Sequence, residues 1–246
     1  MQMRRRSIGL VVAMAMGSAS LVGCDDAAQS GAQAPDAAVQ PLGEGAAART
    51  ADATVEGPER RILAFGNSLF AGYNVEPDEA YPAQLQDALR ARGINASVTN
   101  AGVSGDTTAA GRQRFAFTLD AQETPPDMVI IELGGNDLLR GLPVRETRAN
   151  LEAMLQELQR RDIPALLMGM RAPPNLGADY VDAFDALYPE LAEQYDAELV
   201  PFWLESIYRR AELFQADRVH PTAEGIEVLV ENTAAQVAEA LPPPRE

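Results

Sequence analysis

Between Arg61 and Leu241 short apolar runs alternate with stretches of helical period, and one run, Met128 to Leu133, reads as a continuous apolar strand. A strand without polar alternation is covered on both faces, which is the habit of parallel sheets flanked by helices. The other strands are read at Arg61 to Phe65, Ile94 to Asn100, Ile163 to Met170 and Glu198 to Phe202. Helices are read at Tyr81 to Arg92, Thr107 to Thr118, Pro143 to Arg161, Tyr180 to Tyr195, and from Pro221 to Leu241. In the third of these, Leu151, Met154, Leu155 and Leu158 share one face. Strand and helix in strict alternation imply a three-layer α/β/α domain around a five-stranded parallel sheet. The flavodoxin-like order 2-1-3-4-5 is expected, with ligands at the carboxyl edge where strand order reverses. Strands one and three are neighbours there, so the loops holding Ser68 and Asn136 would face each other.

The loops at that edge carry the unusual residues. Ala64 to Tyr73 ends an apolar run in a glycine and delivers Ser68 to the start of the next element, where free backbone N–H groups favour developing negative charge. Taken alone, Ser68 serves equally well as an N-cap. Near the C-terminus, Asp217-Arg218-Val219-His220-Pro221 precedes the last helix, and one turn can aim the Asp217 carboxylate at one ring nitrogen of His220. Alone, that pair could be a surface turn. A serine nucleophile, however, needs a base that works near neutral pH, and the chain has one histidine. The Ser68 N–H, the Gly105 N–H and the Asn136 side-chain amide can supply three donors to an oxyanion. Asp137 reads as a turn or helix cap.

Composition removes other chemistries. All 20 basic residues are arginine, which excludes a P-loop lysine, a pyridoxal Schiff base and a Ser-Lys dyad. One histidine and one cysteine exclude a zinc site of His/Cys type, and no metal or cofactor is expected. A formal charge of −16 repels nucleic acid and anionic headgroups.

Together these segments resemble the SGNH (GDSL-type) hydrolases, most closely the bacterial branch of acyl thioesterase/lysophospholipases and arylesterases. The blocks that carry the resemblance are Phe65-Gly66-Asn67-Ser68-Leu69 with Ala71-Gly72-Tyr73, Asn100 to Thr107, Glu132-Leu133-Gly134-Gly135-Asn136-Asp137, and Asp217 to Pro221. The resemblance implies the SGNH hydrolase fold and a serine esterase of carboxylic esters or thioesters, with lysophospholipids among its substrates. It implies Ser68 as nucleophile, His220 as base, Asp217 as its orienter, and an oxyanion hole of Ser68, Gly105 and Asn136. The family usually has aspartate before the serine, where this chain has Asn67. An aspartate there would place negative charge near His220 and favour its imidazolium. The apolar residues Phe70, Leu138, Leu139, Leu142, Pro173 and Leu176 are candidates to hold the acyl group, with ordinary packing the competing reading. Arg171 to Tyr180 resembles the family's substrate loop, and Trp203 is assigned to the core. Two other functions remain open: a carbohydrate O-deacetylase on the same scaffold, and a non-catalytic envelope binding lipoprotein, suggested by Asn67.

The N-terminal segment is a separate matter. Residues 1–23 combine three arginines, an apolar stretch too short to span a bilayer, and Leu21-Val22-Gly23 before Cys24. They resemble a bacterial lipoprotein signal peptide, which implies lipidation of Cys24. The expectation is a protein anchored in the cell envelope by lipid and facing the periplasm. Cleavage there would remove three arginines and no acid, so attachment would rest on the acyl chains and not on charge. Residues 24–57 are rich in Ala, Gly, Gln and Pro, and are read as a disordered tether before the domain at 58–246. Asp25-Asp26 resembles the signal that retains lipoproteins in the inner membrane of some Gram-negative bacteria.

Overall fold

The computed structural model describes residues 55–244. The expected leader, Cys24 and nearly all of the tether lie outside them. Five strands are present: β1 (Arg60–Gly66), β2 (Ala96–Gly102), β3 (Met128–Glu132), β4 (Ala165–Met168) and β5 (Glu198–Val200). The helices are α1 (Ser68–Ala71), α2 (Tyr81–Ala91), α3 (Thr108–Asp120), α4 (Gly135–Leu139), α5 (Val144–Arg160), α6 (Ala178–Asp185), α7 (Leu187–Tyr195) and α8 (Ala223–Ala240). The sheet is wholly parallel, as the alternation of elements predicts, and its order is the expected flavodoxin-like β2-β1-β3-β4-β5.

Side-chain alternation along the strands divides the interior into two cores. Ile62, Ala64, Met128, Ile130, Leu166 and Met168 point to the side covered by α2 and α8, where Leu85, Leu89, Leu229 and Val237 are fully buried. Leu63, Phe65, Val129, Ile131 and Leu167 point to the opposite side, covered by α3, α5, α6 and α7 through Phe115, Leu151, Leu155, Phe184 and Leu191. Every residue of β3 is buried, as expected for a strand with helices on both faces.

The register sets the level of the functional loops. Gly66 at the end of β1 is aligned with Gly102 of β2 and Glu132 of β3, so three chain reversals begin at one height. The helix expected over Tyr180 to Tyr195 is two, separated at Ala186. Pro189 has no N–H to return to the Asp185 carbonyl, so the helical ladder cannot run through. The strands expected to reach Met170 and Phe202 end at Met168 and Val200. Among the described residues, no helix is long and apolar enough to cross a membrane.

Candidate active site

β1 ends on Gly66 and the chain turns at once into the four-residue helix α1. Asn67 is the N-cap, and its Oδ1 accepts the Leu69 N–H at 3.0 Å. Ser68 is therefore the first helical residue and not the cap. Its own N–H has no partner among the described residues and lies at the positive end of the turn.

The Asp217–His220 turn arrives from the far end of the chain. Asp217 Oδ1 accepts the N–H groups of Val219 and His220 at 2.9 and 3.0 Å, with Arg218 in the left-handed region at φ 57°. Asp217 Oδ2 then lies 2.7 Å from His220 Nδ1, and His220 Nε2 lies 2.8 Å from Ser68 Oγ. Partial desolvation pushes the Asp217 pKa up, but hydrogen bonds from the His220 ring and the two N–H groups outweigh it and hold the pKa at about 2. An ionised carboxylate accepts only, so the proton of neutral His220 sits on Nδ1 and Nε2 is left to accept from Ser68. Tyr73 packs its ring 4.3 Å from the imidazole. Gln215 Nε2 donates to the carbonyls of Tyr73 and Pro221, tying the two loops together.

The residues expected to supply oxyanion donors, Ser68, Gly105 and Asn136, line the same cavity. Gly105 has φ 87°, a conformation that favours glycine, and its carbonyl accepts from Arg140 Nη2 at 2.9 Å while its N–H is without a partner among the described residues. Asn136 Nδ2 donates to the Asp106 carbonyl at 2.9 Å, which fixes the amide and leaves its second hydrogen for the site. Asp106 is held in turn by Arg114, whose guanidinium also donates to the Gly66 carbonyl and covers the Phe65 ring. Asp137 does not cap its own helix. It accepts the Thr108 N–H and hydroxyl at 2.8 and 2.5 Å, pinning α3 beside α4.

These groups open into a cavity of about 720 Å³ whose lining includes Ser68, Gly105, Asn136, His220, Leu138, Leu139 and Pro173. Three expected wall residues are elsewhere: Leu142 sits half-buried just after α4, outside the cavity, with its carbonyl accepting from the Tyr180 hydroxyl at 3.1 Å, and Phe70 and Leu176 are the others. Phe70 is fully buried on the inner side of α1, stacked on Tyr81 at 5.2 Å and edge-on to Trp203, because two residues along a helix turn it about 200° away from Ser68 and into the core. Leu176 lies on a single 3₁₀ turn, 40% exposed and outside the cavity. Trp203 is in the core, as read from the sequence. Met170, Phe202, Leu204 and Tyr208 complete the apolar wall. Met170 and Phe202 fall where β4 and β5 were expected to end, which hid them, and Leu204 and Tyr208 lie in the turns that follow β5 and show no period. Arg171, Arg209 and Arg218 also line the cavity and have no carboxylate partner among the described residues.

Glu132 belongs to the site without having stood out in the sequence. This residue closes β3 with no exposed surface, and burial pushes its pKa up to about 8 against the opposing hydrogen bonds from Asn67. Its two oxygens accept the Asn67 backbone N–H at 3.2 Å and the Asn67 Nδ2 at 3.0 Å. The available signal was an acid inside a run that must be buried on both faces. The side chain of residue 67 thus has a carboxyl group beside it, a neighbour absent from the reading that coupled it to His220. Among the described residues no group of three His, Cys, Asp or Glu could hold a metal ion.

Comparison with known proteins places the chain in a family. The GDSL-like Lipase/Acylhydrolase family matches residues 64–228. An arylesterase of Vibrio mimicus is 38% identical over 181 residues, covering 74% of this chain and 90% of the relative. Thioesterase 1/protease 1/lysophospholipase L1 of Escherichia coli K12 is 37% identical over 176 residues, covering 72% and 82%. The crystal structure of AlinE4, an SGNH-hydrolase family esterase, superposes with a TM-score of 0.65 at 62% identity, covering 76% of this chain and 99% of that one.

Proposed function

The chain belongs to the GDSL-like lipase/acylhydrolase family and is a serine esterase, and we propose that Ser68, His220 and Asp217 carry its chemistry through a covalent acyl-enzyme. The observation that supports these roles is the unbroken relay from Asp217 through His220 to Ser68 at the mouth of an apolar cavity. His220 Nε2 takes the Ser68 proton as Oγ attacks the ester or thioester carbonyl, and Asp217 stabilises the imidazolium. The tetrahedral oxyanion faces the N–H groups of Ser68 and Gly105 and the Asn136 amide. His220 returns the proton to the departing alcohol or thiol, then deprotonates the water that releases the acid. Formation of a mass adduct on Ser68 with a fluorophosphonate tests these roles, and intact protein after prolonged exposure contradicts them.

Lysophospholipids are the finer substrate reading. The cavity wall holds Arg171, Arg209 and Arg218, while its one carboxylate, Asp217, is committed to His220. In a chain of formal charge −16 such a rim is a local reversal of sign that favours an anionic leaving group. The apolar remainder suits an acyl chain better than a sugar. The test compares one acyl chain on glycerol and on glycerol 3-phosphate. At low salt kcat/KM should favour the phosphate ester by about tenfold, and the ratio should shrink as salt screens the arginines. A ratio near one that salt does not move removes the anionic preference.

Lipid attachment through Cys24 and an envelope location are also proposed, supported by the sequence from Leu21 to Cys24.

A further inference from the structure

We infer that Glu132 is a positioning residue for the nucleophile, acting through Asn67 by dictating which way the asparagine amide faces. The inference rests on Ser68 being the nucleophile and goes on to what holds it.

An asparagine amide can be turned over at little steric cost, with opposite hydrogen-bonding consequences. In this orientation Oδ1 accepts the Leu69 N–H at 3.0 Å and lies 3.4 Å from Ser68 Oγ, while Nδ2 points to Glu132 at 3.0 Å. The reverse orientation would set Nδ2 against the Leu69 N–H, donor against donor, at a site where Asn67 is only 2% exposed. Glu132 enforces the first orientation because both of its oxygens face Asn67 donors, the backbone N–H and Nδ2. A carboxyl group offers lone pairs on both oxygens whether or not it carries a proton. An amide offers them on one oxygen only.

The fold brings this carboxyl close by design of the strand ends. Gly66 is aligned with Glu132 in the sheet, and a Cβ at Gly66 would stand 3.0 Å from Glu132 Oε2. The pair thus lies directly behind the turn that presents Ser68, and α1 takes its first capped N–H from it. Loss of the correct polarity at Asn67 releases that cap and shifts Ser68 relative to His220.

Donor and acceptor polarity can be reversed on both partners at once. In Glu132→Gln, the new NH₂ must face either the fixed N–H of residue 67 or Nδ2, so one donor pair clashes in every arrangement. In the double variant Asn67→Asp/Glu132→Gln the clash is gone. The aspartate at 67 accepts from Leu69 N–H and from the glutamine NH₂, and the glutamine oxygen accepts the N–H of residue 67.

The experiment measures kcat, KM and the rate of fluorophosphonate labelling of Ser68 per folded molecule, with folding followed by circular dichroism. Glu132→Gln should lower kcat and the labelling rate together by about ten- to a hundredfold with little change in KM, as expected for misplacement of the attacking atom. The double variant should recover near the wild-type rate. Wild-type kcat in Glu132→Gln, wild-type labelling of its folded fraction, or a folded double variant no faster than the single one would overturn the inference. If Glu132→Gln does not fold, the double variant alone decides, since its polarity is restored: folding with activity supports the inference, and failure to fold overturns it. Failure of the wild type to label at Ser68 is a different outcome, which would overturn the serine assignment and this inference with it.

Discussion

Glu132 is the residue whose environment departs most from its chemistry. Among the described residues its carboxyl forms no ion pair, it accepts two hydrogen bonds from one asparagine, and burial carries its pKa from 4.5 to about 8. Between those values the unfolded chain has lost the proton that the folded chain keeps, so stability falls as pH rises. The contribution is fully present below pH 4.5 and is lost as pH passes through about 8. Asp217 works in the opposite sense, since its pKa is lowered to about 2 and its contribution fades only in strong acid, outside this window. Urea unfolding of the wild type should therefore show a loss on the order of 3 kcal/mol between pH 5.5 and pH 8 that Glu132→Gln does not show. Parallel curves for the two proteins would mean that Glu132 titrates normally in the folded state.

At the scale of elements, the long periodic segments were readable and the short ones were not. The five strands, their parallel pairing and the helical face of Leu151, Met154, Leu155 and Leu158 follow from period and alternation, which depend on many residues each. α1 and α4 are four and five residues long, too short to show a period, yet they hold Ser68 and Asn136. His220 was legible because the chain has one histidine, and Ser68, Gly105, Asn136 and Asp217 because they stand in short blocks that resemble those of a family; the structure brings all five to one cavity. Phe70 was misplaced because neighbours in sequence on a helix point in different directions, so adjacency to Ser68 says nothing of a shared wall. The arginine rim was illegible for another reason: Arg171, Arg209 and Arg218 meet only through tertiary packing of loops after β4 and β5. Asn67 illustrates a third limit, since its departure from the family pattern was visible but its partner, 65 residues away, was not.

For the whole molecule, one sheet edge gathers groups separated by up to 152 residues into a relay of two short hydrogen bonds. Such a relay is only as good as the register that aligns Gly66, Gly102 and Glu132, because each strand end sets the height of one loop. The consequence is that Ser68 and His220 should behave as a single unit. A double-mutant cycle on ester hydrolysis tests this most directly, using Ser68→Ala, His220→Ala and the two combined. Action as a unit requires that each single variant remove nearly all of kcat, and that the double variant be no slower than either by more than a small factor. Losses that multiply would contradict it, because they would mean that the two residues act on the reaction independently.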